Sequence, residues 1–476
     1  MDKDKRSLNK NTVPLKGLDP KRAGIDIGAS SVFVCISDAN GRQEVREYST
    51  FTRDLTSMAE WLKAHRVESV AMESTGIYWI PVFEILDAKG FEVLLVNAHH
   101  LKNVPGRKTD VKDSQWIQQL HSHGLLRGSF RPADDFVCLR AYVRQRRQLT
   151  ERAGTQAQLM QKALVQMNVQ MHLVLSDSTG KTGLLIIQAI LRGERDPLQL
   201  ANYRQSNCRN SKEEISKALE GNWRDEHIFA LRQAYEAYEF YHKQVLECEI
   251  EIQKLLPGLT KPDFIATPIT KIAPGNVWEP FSPEETKNEP VKSKKKKCSY
   301  NRSPYHFDIA GQLQTLCKGI DLTQIPGIEG NTLTVILSEI GTDMSKWKSV
   351  KHFTSWLGLC PGSKISGGKI LSSKTKPTSN RAAHALRLAA NALHRSTSAL
   401  GAFFRRMRAR LGAPKAITAA AHKLAKLIYC MLKYGKSYKE LGADYYDKMH
   451  KERVLSNLQK RAAEFDYQLV PMAKNT

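Results

Sequence analysis

From Leu231 to Leu255 an apolar or aromatic residue recurs every third or fourth position: Leu231, Ala234, Tyr238, Tyr241, Val245, Cys248, Ile252 and Leu255. Alternating 3-4 spacing puts all of these on one face of an α-helix, and on one face of no other regular element. Pro257-Gly258 then stops the run. A helix this long with a continuous apolar seam needs a second helix to cover it. Residues 143–167, which carry a looser version of the same spacing, can supply it as an intramolecular hairpin. A second copy can supply it as a coiled-coil dimer. The spacing weighs the two equally, and either way residues 132–256 read as helical.

Residues 22–131 have a different rhythm. Residues 23–37 are apolar and β-branched and read as extended, with Gly28 inside and a turn signal at Asp38-Ala39-Asn40-Gly41. A further strand leads to Phe51. Helical spacing follows over 55–65 and 77–89, with strands at 67–73 and 91–97 and a helix over 110–123. Strands alternating with helices predict a mixed α/β sheet. Residues 257–318 form a linker with 8 of the 19 prolines between 257 and 304, and a lysine run at 294–297. Residues 319–440 read as helical again, and 441–476 as a tail. Ile325-Pro326-Gly327-Ile328-Glu329-Gly330, ahead of a helix over 332–340, resembles a helix-hairpin-helix turn, whose exposed backbone N–H groups suit a phosphate. Residues 361–380 read as a loop rich in Gly, Ser and Lys, followed by helices to 434.

Charge narrows the function. The chain carries a formal +24. Residues 344–439 contain 20 Lys or Arg and no Asp or Glu, so nearly all of the excess sits in one segment. Ordinary surfaces mix both signs, so this segment points to a polyanion, most often nucleic acid. No apolar run approaches a membrane span, residues 1–21 lack the apolar centre of a secretory signal, and the eight cysteines include no Cys-x-x-Cys. A soluble, reduced, cytoplasmic protein without a disulfide framework or zinc finger is expected.

Four carboxylates stand out. Asp26 interrupts the apolar strand Gly24-Ile25-Asp26-Ile27-Gly28, and Glu73 ends the strand Val70-Ala71-Met72-Glu73. A carboxylate in such a strand is costly unless it is paired or holds a cation. Asp110 and Asp113 are three apart at the start of a helix and share a face. This order fits a ribonuclease-H-like nuclease, in which neighbouring strand ends and a facing helix gather hard oxygen ligands for Mg²⁺, two ions in such sites. Each acid also has a plainer reading. Asp110 can cap its helix, Asp113 can complement the helix dipole, Glu73 can pair with a lysine, and Asp26 can belong to an actin-like kinase strand. It is the set of four, in this order, that favours a metal site.

Several segments together resemble the DEDD transposases of bacterial insertion sequences, which are RNA-guided recombinases. They are Gly24-Ile25-Asp26-Ile27, Met72-Glu73-Ser74-Thr75-Gly76-Ile77-Tyr78, and Gly106-Arg107-Lys108-Thr109-Asp110 through Asp113. Further on come Ile325-Pro326-Gly327-Ile328, Trp356-Leu357-Gly358-Leu359 and Ser366-Gly367-Gly368-Lys369. The resemblance runs in the same order from about residue 22 to 434. It implies a RuvC-like (RNase H-like) N-terminal domain whose metal site is Asp26, Glu73, Asp110 and Asp113. It also implies a helical C-terminal transposase domain whose serine nucleophile is Ser366. Composition alone does not choose Ser366 over Ser363, Ser372, Ser373 or Ser379. The sequence departs from the family's Lys-x-Gly-Asn turn, reading Lys376-Pro377-Thr378-Ser379-Asn380 instead.

The expected activity is therefore cutting and rejoining of donor and target DNA through a phosphoserine. The resemblance implies that sequence choice falls to a non-coding bridge RNA, and a homo-oligomer, dimer or tetramer, is expected. Lys369, Arg381, Arg387, Arg405, Arg408 and Lys415 are the candidate nucleic-acid contacts. The alternatives are a hydrolytic nuclease or junction resolvase using water, and a non-catalytic nucleic-acid-binding protein.

Overall fold

The computed structural model describes residues 19–38, 40–74, 76–97, 110–259 and 305–470. The lysine run 294–297, the motif residues 106–109 and the start of the chain lie outside them. Among the described residues no helix is long and apolar enough to cross a membrane. The chain divides into two compact units, one ending at Arg131 and the other beginning at Pro132.

The first unit is built on a five-stranded sheet. Its strands are β1 (Arg22–Ile27), β2 (Ser31–Ser37), β3 (Gln43–Ser49), β4 (Ser69–Glu73) and β5 (Glu92–Val96). The spatial order is β3-β2-β1-β4-β5. β1, β2 and β3 pair antiparallel, whereas β4 joins β1 in parallel and β5 joins β4 in parallel. Residues 23–37, read as one extended run, are in fact two strands. Gly28 N–H donates to the Ser31 carbonyl at 2.9 Å and folds the chain back on itself. Both halves are apolar and β-branched, so alternation alone does not reveal the reversal.

Three helices cover the sheet: α1 (Thr52–Ala64), α2 (Trp79–Ala88) and α3 (Asp110–Ser122). Period-two alternation splits the sheet into two faces. Ala23, Ile25, Val32, Val34, Val70 and Met72 point into one core with Leu55, Met58, Leu62 and Leu86 of α1 and α2. On the other face, Ala71 and Val96 pack with Ile117 of α3.

The second unit is helical. Its frame is α4 (Asp134–Gln166), a helix of 33 residues and so ~50 Å long, against which a later helix packs. Between them come the short α5 (Met171–Val174), α6 (Lys181–Leu191), α7 (Pro197–Ala201) and α8 (Lys212–Ala218). The returning helix is α9 (Asp225–Leu255). Leu231, Ala234 and Tyr238 are buried with Met160, Ala163 and Leu164 of α4 in one core that also takes Ile186 and Ile190 of α6. The apolar seam is thus covered within the chain, as an intramolecular hairpin. Val245 and Cys248 remain half-buried.

A buried ion pair ties this hairpin together. Arg146 of α4 meets Glu249 of α9 at 2.6 Å, and Glu249 also accepts from the His306 backbone N–H at 2.9 Å. The Arg146 guanidinium lies 3.9 Å over the ring of Tyr305.

The remaining helices are α10 (Ile309–Leu316), α11 (Gly330–Ile340), α12 (Val350–Trp356), α13 (Arg381–Ala392), α14 (Ala399–Leu411), α15 (Ala413–Tyr434) and α16 (Gly442–Ala463). Glu339 of α11 binds Arg144 of α4 through two bonds of 2.8 Å and Arg140 at 3.2 Å, fastening α11 to the hairpin. The Ile325-Pro326-Gly327 turn precedes α11, with Gly327 at φ 85°. A Cβ at Gly327 would lie 2.7 Å from the Ala389 carbonyl of α13, so glycine is required there for close packing. Residues 361–380, read as a loop, contain a small hairpin: β6 (Lys364–Ser366) and β7 (Lys369–Ser372), antiparallel.

Candidate functional site

In the first unit the strand register sets the geometry. Ile25 of β1 stands beside Met72 of β4 in the parallel pair. One step further along that register are Asp26 and Glu73, on neighbouring strands ~5 Å apart. Both fall on the face opposite Ile25 and Met72, which is the face that α3 covers. Both are half-buried. Just past Glu73, Ser74 donates from its N–H to the Val96 carbonyl at 2.9 Å, which holds the strand end against β5.

The direction of α3 follows from its contacts. Near its C-terminal end, His121 meets Ser69 at the start of β4, with Ser69 Oγ and His121 Nε2 2.9 Å apart. Arg22, at the start of β1, donates to the His121 carbonyl at 3.1 Å. In its middle, α3 sits directly on Gly24, where an added Cβ would lie 2.2 Å from Gln118 N and 2.6 Å from the Ser114 carbonyl. Gln118 donates to Ser37 Oγ and Ser122 Oγ, each at 2.8 Å. The helix therefore runs antiparallel to β1 and β4, and its first turn, which holds Asp110 and Asp113, lies toward their C-terminal ends. From Ser114 back to Asp110 is one helical turn, ~6 Å, and from Gly24 on to Asp26 is ~6.6 Å of strand. The elements thus bring the four predicted acids to one end of one sheet face. Asp110 is exposed and Asp113 half-buried. Among the described residues no three His, Cys, Asp or Glu side chains stand close enough together to hold a metal ion. All four donors are carboxylates, whose hard oxygens suit a divalent cation such as Mg²⁺.

His121 anchors the far end of α3. It is buried, and burial first, with the nearby Arg22 charge second, pushes its imidazole down to about 4. At neutral pH it is uncharged.

Ser366 lies in the second unit, at the end of β6, paired with Lys369 across the turn. Gly367 and Gly368 form that turn with φ of 53° and 74°. Positive φ at both central positions is the type I′ geometry that closes a two-residue hairpin, and glycine adopts it without strain. The hairpin is exposed except at Ser372, which is half-buried. Its apolar side chains Ile365, Ile370 and Leu371 are 63%, 67% and 69% exposed.

The predicted basic residues are spread over the same unit. Lys369 is exposed on β7, Arg405 and Arg408 are exposed on α14, and Lys415 is exposed near the start of α15. Arg405 donates to the Ser396 carbonyl, and Arg408 lies in the last turn of α14, where a cation complements the helix dipole. Arg381 and Arg387 are half-buried on α13 and line a cavity of about 370 Å³. Arg144 and Arg147 of α4 line the same cavity and were missed by sequence reasoning. Their only sequence signal is the cluster Arg144-Gln145-Arg146-Arg147, in which Arg146 is spent on Glu249. Gly24 was missed as well. A glycine in an apolar strand is a sign of close approach, here by the α3 backbone.

Comparison with known proteins gives two matches. A family model of DEDD transposases, described as a transposase, matches residues 23–169. A second, described as the transposase IS116/IS110/IS902 family, matches residues 321–405. No curated protein matches the chain.

Proposed function

Because this chain belongs to the IS110-type DEDD transposases, enzymes that recombine DNA, we propose that it cuts and rejoins donor and target DNA with Ser366 as the nucleophile and the acids of the first unit as its partners. The observation that supports this reading is the β1–β4 register: Asp26 and Glu73 come one step past the Ile25–Met72 pair, on the sheet face that α3 covers, and Asp110 and Asp113 lie in the first turn of α3. The sheet order β3-β2-β1-β4-β5, with β2 antiparallel to β1, supports a RuvC-like fold for this unit.

Asp26, Glu73, Asp110 and Asp113 are the residues that would hold divalent cations, Mg²⁺ by donor chemistry and two ions by family resemblance. Bound there, the cations supply charge stabilisation at the scissile phosphate. The protein's own part is positioning and proton transfer. Ser366 Oγ attacks phosphorus, its proton passes to a carboxylate, the Oγ–P bond forms, and the P–O bond to the departing sugar breaks. The freed sugar hydroxyl carries a proton away. Attack by a hydroxyl of the other duplex reverses these changes and returns the serine, so the bond energy is conserved. Gly367 and Gly368 leave the turn without side chains, which lets a DNA backbone approach Ser366 closely.

Nineteen further Lys and Arg accompany Lys369 in the acid-free segment, and they suit phosphate contacts that carry no sequence information. A non-coding guide RNA then supplies the choice of site by base pairing. Joining two duplexes needs more than one active site, so the working form is a homo-oligomer.

The test is a denaturing gel after incubation with cognate DNA and RNA. Wild type gives a covalent protein–DNA band, and Ser366→Ala gives none. A band that persists in Ser366→Ala overturns the nucleophile. Cleaved ends without attached protein in the wild type point to water as nucleophile, as in a junction resolvase.

A further inference from the structure

The cavity of about 370 Å³ in the second unit is lined by guanidinium groups from two helices far apart in sequence: Arg144 and Arg147 of α4, and Arg381 and Arg387 of α13. The one carboxylate in its wall is Glu151. The arginines are not equally committed. Arg144 is held by Glu339 through two bonds of 2.8 Å. Arg147 meets Glu151 at 2.8 Å in an exposed pair. Arg387 donates to the Gly358 carbonyl at 3.5 Å. Arg381 has no ion pair or hydrogen bond to its guanidinium among the described residues. Burial, followed by the charge of Arg144, pushes the Arg381 guanidinium below its usual range. Like charges gathered in a partly dry cleft are unfavourable, and an anion entering the cleft reverses the sign of that interaction.

The polar rim suits a phosphate. Thr378 and Ser379 supply hydroxyls, and Asn380 caps α13 by accepting from Ala383 N–H at 3.1 Å. Arginine matches phosphate oxygens through paired N–H donors better than any other side chain. The cavity volume takes a phosphodiester with part of a sugar and is too small for a duplex. Its rim is also the far end of the serine-bearing arm. The Pro361–Thr375 bridge closes the base of the β6–β7 hairpin, and three residues later the chain reaches Thr378.

Resting on the reading of this chain as a nucleic-acid recombinase, we infer that the Arg144–Arg147–Arg381–Arg387 cavity is a phosphodiester-binding site that anchors one nucleic-acid strand at the base of the Ser366 hairpin. The phosphodiester can come from DNA or from RNA, and the probes distinguish the two.

The experiment measures binding of the full chain by fluorescence anisotropy across a salt series. Its probes are duplex DNA, single-stranded DNA and single-stranded RNA. Arg381→Ala and Arg147→Ala are each expected to weaken binding about 10-fold and to lower the salt slope by about one on the probe that uses the cavity. Arg381→Lys keeps the charge and so keeps the slope. Arg147 is exposed, so Arg147→Glu serves as a second variant that leaves the packing intact, and its loss is larger still. Folded Arg381→Ala and Arg147→Glu proteins that match wild-type affinity and slope on all three probes overturn the site. Binding is read here without strand transfer. A failure of the serine mechanism therefore shows in the covalent band and leaves these slopes unchanged.

Discussion

The two candidate sites, the acids of the first unit and the serine of the second, are built in opposite ways. The acids stand on a scaffold fixed from every side: a strand register, a helix seated on Gly24 without room for a methyl group, and a polar network through Gln118 and His121. The serine stands at the tip of an exposed two-stranded hairpin, beside three large apolar side chains that touch little protein. An isolated hairpin is marginal in water, so its conformation depends on what it meets. The difference teaches that the elements carrying the acids are fixed by packing within the fold, whereas little of the fold holds the hairpin that carries Ser366.

The sharpest way to break that comparison is to remove an acid. Asp26→Ala is expected to cost about a thousand-fold in strand transfer, because the charge stabilisation lost is worth several kcal/mol. Asp26 lies on a half-buried surface, so the melting temperature should barely move. A large fall in melting temperature would make Asp26 a structural residue instead.

A pH series probes the scaffold itself. His121 is at about 4 in the folded protein and near 6.5 when unfolded. The unfolded chain binds a proton first, so this group's stability is fully present above pH ~6.5 and is lost as pH falls toward 4. The expected loss is about 3 kcal/mol in the first unit. His121→Gln should flatten the unfolding curve between those pH values, and an unchanged pH dependence would contradict the burial argument.

A smaller stability effect than that of His121 belongs to the hairpin that carries Ser366. Gly368→Val forces a branched side chain into φ 74°, a cost of about 1–2 kcal/mol confined to the hairpin. Thermal unfolding of the second unit should shift little while the covalent product falls clearly. A proportionate loss of both would mean that the hairpin is part of the folded core.

The α/β character of the first unit and the helical character of the second were legible in residue spacing. The seam from Leu231 to Leu255 is a real helix face, and the acids do sit at strand ends and in a helical first turn. The reversal at Gly28 was not legible, because a tight turn between two apolar strands leaves the alternation intact. The β6–β7 hairpin was hidden for a related reason. Six of its nine residues from Lys364 to Ser372 are polar or glycine, and its strand character comes from cross-strand pairing.

The amino-acid order by itself determined the period of each element, the segregation of positive charge into residues 344–439 and the motifs that point to transposition. These are local properties, carried by neighbours in the chain. Tertiary structure decided that the seam is covered by α4, that α3 runs antiparallel to β1 and β4, and that Arg144 and Arg147 meet Arg381 and Arg387. Those outcomes depend on contacts between residues dozens to hundreds of positions apart. No spacing rule encodes them, because the free energy that selects them comes from burying surfaces against each other in three dimensions.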